Sequence, residues 1–127
     1  MGLKHYLNCG KGFGVLSTAD KTGRVDAAVY SRPQVISDKK IAFITADRLT
    51  HKNLLSNPYA VYLFKEDGPG YKGKRYYLKK TGETDDQGLI DQLRKFCHGK
   101  SCDEGHDKKF LVYFNVQKVL PLVVKKS

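Results

Sequence analysis

The sequence predicts a small, mainly β protein, an antiparallel barrel or sandwich of about six strands with two or three short helices. Apolar runs are short, as in VYLF and FLVYF, and they alternate with turn residues. No internal repeat and no Pro- or Ser-rich linker divides the chain. A length of 127 residues suits one core, so residues 1–127 are expected to form a single domain.

The first two strands are predicted to form a hairpin. VLSTAD at 15–20 has the composition of a strand, and KTG follows as a turn in which Gly23 can adopt a positive φ. The residues after the turn alternate with a period of two, which places Val25 and Val29 on one face. Pro33 marks an edge, a bulge or a bend near the end of the second strand, because proline cannot donate a ladder hydrogen bond.

Later strands and helices complete the predicted order. The strands are apolar runs bounded by turn residues, at 41–46, 60–64, 74–80 and 109–123. A short helix is predicted at 50–58, with Thr50 as its N-cap and Pro58 as its end signal. A longer helix is predicted at 84–97, where Thr84 and Gln87 have the spacing of a capping box. Residues 3–9 fit one or two further helical turns.

The net charge is the first indication of function. Lys and Arg number 23 against 13 Asp and Glu, which gives +10 and a pI near 9.5. Such a surface attracts nucleic acid, acidic lipid or phosphorylated small molecules. No stretch approaches the roughly 20 apolar residues of a membrane span, so no membrane partner is expected. Three cysteines and the absence of a secretory signal favour the reducing cytoplasm.

A candidate phosphate site lies between the third predicted strand and the first helix. A loop carrying Arg48 leads to the predicted helix start at Thr50, and His51 and Lys52 follow in the first turn. First-turn N–H groups lack partners within a helix, and the helix dipole adds a partial positive charge there. Exposed bases are common in loops, but a strand end, a helix N-terminus and basic side chains together favour phosphate binding.

Three segments resemble one family, the pyridoxamine phosphate oxidase-like proteins, which bind flavin mononucleotide (FMN) in a split β-barrel. They are GVLSTADKTGRVDAAVYSRP, IAFITADRLTHKNLLSNPYAVYLF and GPGYKGKRYYL. The most specific element is Asn-Leu-x-x-Asn-Pro before a strand, here Asn53, Leu54, Asn57 and Pro58. The resemblance implies an antiparallel split β-barrel of about six strands with FMN as cofactor.

The resemblance also implies where the FMN phosphate lies, because the family binds it just before the Asn-Leu element. Many members carry Ser-Arg-Lys or a similar triplet three to five residues before that Asn. Here Arg48, Leu49 and Thr50 stand at those positions, so the basic character is kept but shifted. The implied phosphate ligands are Arg48 and Lys52, followed by Thr50 and His51.

Further contacts with the cofactor follow from the same resemblance. The isoalloxazine ring lies along the end of the second strand and near the end of the third, which implies Val29, Tyr30, Ser31, Arg32 and Thr45. Family members are typically homodimers with flavin at the interface, so Tyr71, Lys74 or Arg75 is expected to contact the cofactor of the other chain. The implied function is a flavin-dependent oxidoreductase of unknown substrate, with a small molecule or an electron-transfer protein as partner. No acid-base side chain is singled out as catalytic.

Two other readings are weighed against flavin binding. CHGKSCDEGH contains Cys97, His98, Cys102 and His106, but its spacing fits no common zinc pattern and no metal site is expected. GYKGKRYYLKK interleaves bases and tyrosines as single-strand nucleic-acid sites do, yet it lacks a standard RNA-binding motif. A small basic barrel binding nucleic acid, or a non-catalytic flavin or haem carrier, is therefore the alternative to an enzyme.

Overall fold

The computed structural model describes residues 12–46, 48–94 and 108–123. Within them lie seven strands and two helices, one strand more than expected from the sequence. The strands are β1 (Gly12–Ala19), β2 (Val25–Val29), β3 (Gln34–Ser37), β4 (Lys40–Ala46), β5 (Tyr59–Glu66), β6 (Gly73–Thr84) and β7 (Lys109–Pro121). The helices are α1 (Leu49–Ser56) and α2 (Gln87–Arg94). The predicted helical turns at 3–9 lie outside the described residues.

All seven strands belong to one antiparallel sheet in the order β2-β1-β5-β6-β7-β4-β3. Tyr30 follows β2 at one end of this order, yet its ring packs edge-on against Phe43 of β4 near the other end, with centroids 5.8 Å apart. Contact between opposite ends requires the sheet to curl into a barrel. No ladder joins β2 to β3 in the described part of the chain, so the barrel is split at this seam.

The additional strand is β3, which pairs with β4 from Gln34 to Ser37 across a register shift. Only four residues long, it lacks the clean alternation that identifies a strand in a sequence. Pro33 separates it from β2 and is buried in the bend between the two strands. The sequence predicts such a bend at this proline but not the strand that follows it.

The interior of the barrel is filled by aromatic and branched side chains. Phe43, Tyr62, Phe64 and Phe114 are fully or almost fully buried, together with Leu16 on β1. Complete burial of a side chain of this size contributes about 1.5–3 kcal/mol, so these strands supply most of the stabilising apolar contact. A second cluster of Ala42, Ile90 and Leu111 lies on the other face of β4 and β7, where α2 packs.

The predicted β1–β2 hairpin is confirmed, with Ala19 opposite Val25 and Val15 opposite Val29. Gly23 has a φ of 92° in the turn. Oδ1 of Asp20 accepts hydrogen bonds from the backbone and hydroxyl of Thr22 and from the N–H of Arg24. The Thr22 hydroxyl is the main cause that lowers the pKa of Asp20 below its ordinary value.

Both helix starts differ from the sequence prediction. The capping box at Thr84 does not form, because Thr84 is the last residue of β6. Asp86 caps the start of α2 instead, and its Oδ1 accepts a hydrogen bond from the N–H of Leu89 at 3.1 Å. Gln87 instead donates its side-chain amide to the carbonyl of Lys109 at 2.9 Å. Neither helix has the length and apolar character to cross a membrane, within the residues described.

Candidate functional site

The N-terminal turn of α1 begins at a residue whose side chain does not cap the helix. Arg48, in extended conformation, occupies the N-cap position, and its side chain makes no capping hydrogen bond. The Arg48 carbonyl accepts the first helical bond from the N–H of Lys52 at 3.0 Å. No acidic residue lies in the first turn of the helix. The N-cap residue of α1 therefore does not supply the side-chain acceptor that Ser, Thr, Asp or Asn commonly provides at this position.

The predicted phosphate ligands separate into two exposed and two buried side chains. Arg48 and Lys52 are exposed at the start of α1. Thr50 and His51 are buried, at 5% and 4% exposure. The prediction of Thr50 as N-cap is wrong, because the helix begins at Leu49 and Thr50 lies inside its first turn. The two charged side chains remain accessible to an anion, whereas Thr50 and His51 face the protein.

The bend after β2 is fixed by interactions on both sides. Tyr30 donates its N–H to Gly14 at 3.0 Å, and its carbonyl accepts the hydroxyl of Tyr62 at 3.2 Å. Burial raises the pKa of the Tyr30 hydroxyl, and a hydrogen bond with the Thr50 side chain opposes that rise. This bond links the bend to the first turn of α1. Around it, Val29 and Ser31 are exposed and Arg32 is half-buried.

Thr45 contributes a buried hydroxyl beside the start of α1. It lies on β4 with the same orientation as Ile41 and Phe43, which belong to the barrel interior. The side chain is 1% exposed, and its Oγ1 has no hydrogen-bond partner among the residues that the structure describes. A buried hydroxyl without a partner is destabilising by about 1–3 kcal/mol, and a ligand with a polar edge would remove that cost.

His51 is held by Glu83 and Phe110, two residues outside the motifs that predict the phosphate site. Its Nε2 lies 3.1 and 3.0 Å from the two carboxylate oxygens of Glu83 on β6. Its ring stacks on Phe110 with centroids 3.8 Å apart and planes at 7°. Lys80 donates to Glu83 Oε1 at 2.8 Å. No local motif connects β6 with α1, so only the fold reveals this group.

Burial acts to raise the pKa of the Glu83 carboxyl, but the hydrogen bonds and charges of Lys80 and His51 act more strongly. The net result is a pKa below its ordinary value. Glu83 is therefore ionised near neutral pH and supplies a negative charge beside the basic start of α1.

The Asn-Leu-x-x-Asn-Pro element anchors α1 to the hairpin. Asn53, which is buried, donates its side-chain amide to the hydroxyl of Thr18 on β1 at 3.1 Å. Asn57 donates to the carbonyl of Asp20 at 3.3 Å and accepts from the N–H of Tyr59 at 3.0 Å. Both asparagines thus connect the helix with neighbouring strands, and the element helps to hold the candidate site in place.

Three predicted partner-contacting residues lie away from α1. Tyr71 is exposed in the loop between β5 and β6, and Lys74 is exposed near the start of β6. Arg75 is half-buried and donates its Nε to the carbonyl of Pro121 at 2.9 Å. The structure therefore does not bring these residues to the phosphate end of the same chain.

Arg75 shares a surface with residues near the bend. The registers place Val29 opposite Val15, Val15 opposite Leu63, and Leu63 opposite Arg75. These four side chains therefore form one row across β2, β1, β5 and β6, on the outside of the barrel. Three strand spacings of about 4.8 Å separate Val29 from Arg75, roughly 14 Å in total.

Cys97, His98, Cys102 and His106 lie outside the described residues. Within 12–46, 48–94 and 108–123, no group of three or more His, Cys, Asp or Glu side chains is arranged to hold a metal ion. The expectation that this chain carries no metal site remains a prediction.

No protein-family model matches the chain, and no curated protein matches it. Solved structures do. An FMN-binding protein from Syntrophomonas wolfei subsp. wolfei is 21% identical with a TM-score of 0.80, over 97% of this chain and 85% of that one. An F420 reductase is 13% identical with a TM-score of 0.76, over 94% and 97%. General Stress Protein 26 from Bacillus anthracis str. Sterne is 16% identical with a TM-score of 0.62, over 95% and 94%. This chain therefore has the split β-barrel fold of the FMN-binding and pyridoxamine 5'-phosphate oxidase-like proteins.

Proposed function

We propose that this protein binds FMN, with the phosphate at the N-terminal turn of α1 and the isoalloxazine ring along residues 29–32 and Thr45. The observation that carries the proposal is the first turn of α1, which has no acidic residue and no side-chain cap from Arg48, with Arg48 and Lys52 exposed beside it. Backbone donors, a helix dipole and two cations converge there, which is the arrangement that binds a phosphate. Solved structures with this fold include an FMN-binding protein and a FAD-binding protein, which supports the flavin class.

The residues present fit such a cofactor. Thr45 offers a buried hydroxyl that lacks a partner in the described chain. The bend after Tyr30 interrupts the β2 ladder and leaves backbone groups of residues 31–33 outside it. A flavin requires polar groups of this kind along its pyrimidine edge, and Arg32 could stabilise negative charge on the reduced ring.

The proposed reaction is a flavin-dependent oxidation or reduction. Bound FMN supplies the hydride or electron transfer, and the protein orients it and adjusts its potential. Arg48 and Lys52 bind the phosphate, while Thr50 supports Tyr30 at the bend. In this proposal His51 supports the first turn of α1 and does not contact the phosphate, because its Nε2 is directed to Glu83. The proposed compartment is the cytoplasm, where thiols stay reduced, since three cysteines cannot all pair within one chain.

We also propose a homodimer in which each chain completes the other's flavin site. Val29 and Arg75 lie on one outer face but roughly 14 Å apart, too far to hold the same part of a flavin in one chain. A second copy placed against that face would bring its Arg75 or Tyr71 toward the ring beside Val29. The exposure of Val25 and Val29, 80% and 67%, supports a partner on this surface.

The phosphate site is tested by comparing FMN with riboflavin, which lacks the phosphate. We expect the parent protein to prefer FMN. Replacing both Arg48 and Lys52 by Ala should weaken FMN binding by about 2 kcal/mol, after discounting two charge-assisted contacts for solvent exposure, and leave riboflavin binding nearly unchanged. Isothermal titration of the apoprotein with each flavin measures both affinities.

The matched control is the double variant Lys21→Ala/Lys39→Ala, which removes the same charge from two exposed turns away from the first turn of α1. It should retain the preference for FMN. Equal affinity of the parent for FMN and riboflavin would contradict the proposal. If both double variants lost FMN affinity equally, the loss would come from the lower net charge and not from this site.

A further inference from the structure

We infer that Glu83 is a positioning residue for the phosphate-binding end of α1. Through His51 and Lys80, its carboxylate holds the first turn of the helix in the orientation that binds an anion. This inference rests on the proposed function, since it concerns the same phosphate site. It adds residues on β6 that lie outside every sequence motif.

The contact with His51 fixes the orientation of a buried imidazole. Glu83 Oε2 lies 3.0 Å from Nε2 of His51. An ionised carboxylate only accepts hydrogen bonds, so Nε2 must carry the proton. The ring also stacks on Phe110 of β7, at 3.8 Å between centroids. β6 and β7 together therefore determine where the first turn of α1 lies.

The contact with Lys80 extends the same support along the helix. Lys80 Nζ lies 2.8 Å from Glu83 Oε1 and 3.4 Å from the carbonyl oxygen of Leu54. One carboxylate is thereby connected with α1 at His51 and at Leu54, three residues apart and nearly one turn of helix. Two points of attachment on one face resist both rotation and tilting of the helix.

The helix needs such support because its own sequence favours it only weakly. α1 has eight residues, no side-chain cap and no acidic residue in its first turn. Helices of this length are marginal without tertiary packing, and Arg48 and Lys52 are unfavourable beside the positive end of the dipole. The Glu83 carboxylate offsets that charge from the buried side and leaves the exposed side for an anion.

Glu83→Gln tests the inference with little change of shape. The side-chain amide of glutamine has one oxygen and one NH₂ group, so an NH₂ donor replaces either Oε1 or Oε2. That donor would face another donor, Lys80 Nζ or the protonated Nε2 of His51, and one hydrogen bond would be lost. We expect FMN to bind about tenfold more weakly and riboflavin to change by less than about twofold. Quenching of flavin fluorescence measures both. Asp38→Asn, in the exposed β3–β4 turn, is the control and should change neither affinity.

Hydrogen exchange of the apoprotein gives a readout without flavin. Amides of the first two turns of α1 should exchange faster in Glu83→Gln, while those of β1 and β5 keep the parent rate. If the variant does not fold, Lys80→Met removes one attachment and retains the other, with an expected loss of about threefold in FMN affinity.

The outcomes separate this inference from the proposed function. A parent that prefers FMN, with a Glu83→Gln variant that binds it equally well, would overturn the role of Glu83 alone. Equal losses of affinity for FMN and riboflavin would also overturn it, because a general loss of structure would weaken both flavins alike. If the parent shows no preference for FMN, the proposed function fails. Titration with inorganic phosphate, followed by amide shifts in α1, then decides whether Glu83→Gln weakens an anion site, and equal shifts in both proteins would overturn the inference.

Discussion

At the scale of single residues, the bend that the flavin would contact depends on the absence of a side chain at Gly14. A Cβ there would collide with the hydroxyl of Tyr62 and lie 2.8 Å from the carbonyl oxygen of Tyr30. Burial raises the pKa of Tyr62, so its hydroxyl stays protonated and donates to that carbonyl. Gly14 thus provides the space for the hydrogen bond that fixes the end of β2.

Gly14→Ala should therefore destabilise the protein by about 1–3 kcal/mol, the usual cost of forcing extra volume into a packed interior. The control is Gly82→Ala on β6, where an added Cβ meets nothing within 4 Å. It should change the stability by no more than about 0.5 kcal/mol. Urea unfolding followed by circular dichroism measures both, and equal stabilities of the two variants would show that the space at Gly14 is not required.

At the scale of elements, α1 is maintained by side chains from its neighbours. Asn53 reaches Thr18 on β1, and Glu83 and Lys80 reach the helix from β6. The pKa of Glu83 lies below its ordinary value, so the folded state stabilises the charged form of this carboxyl group. The contribution of this carboxyl group to the free energy of unfolding therefore depends on pH.

The sign of that linkage gives a measurable pH dependence. Because the folded pKa of Glu83 is depressed, its contribution is fully present above the unfolded pKa and is lost as pH falls through the folded value. The stability difference between the parent and Glu83→Gln should be constant from about pH 6 to 7 and should narrow below the ordinary pKa of 4.5. Urea unfolding from pH 3 to 7 measures it. A difference as large at pH 3 as at pH 7 would contradict the role of the charge.

At the scale of the whole molecule, the curled sheet has one strongly apolar outer region. Its side chains alternate with the core residues of β1 and β5 and with the half-buried residues of β2, and several are more than half exposed. This outer face consists of Phe13, Val15, Val25, Val29, Tyr59, Val61 and Leu63. Among the described strands β2 is also an edge of the sheet, so the region combines apolar surface with backbone groups that no described strand pairs, which favours association with a second chain.

Val29→Lys should shift the proposed dimer toward monomer, because a charged side chain replaces an apolar one at the proposed interface. Leu55→Lys on α1 is the matched control, since Leu55 is 64% exposed and Val29 is 67% exposed. Analytical ultracentrifugation at several micromolar protein concentrations measures the association. A parent that sediments as a monomer, or a Val29→Lys variant that remains a dimer, would contradict the proposed interface.

The sequence by itself determined the fold class and most of the strands. Alternation in Val25–Val29, and the apolar runs around Phe43, Tyr62 and Phe114, are local patterns that survive in the folded chain. It also placed basic residues at the start of a short helix before Asn53. These features depend on neighbours a few residues apart, which is the range over which periodicity carries information.

Only the tertiary structure decided which of those residues face solvent and which face the protein. Thr50 and His51 immediately precede Lys52 in the sequence, but both are buried and Lys52 is exposed. Glu83 lies 32 residues from His51, and the two side chains are in contact only because the curled sheet brings β6 next to α1. Contacts of this kind depend on strand order and helix packing, which no local pattern encodes, so the support of the candidate phosphate site was decided by the fold.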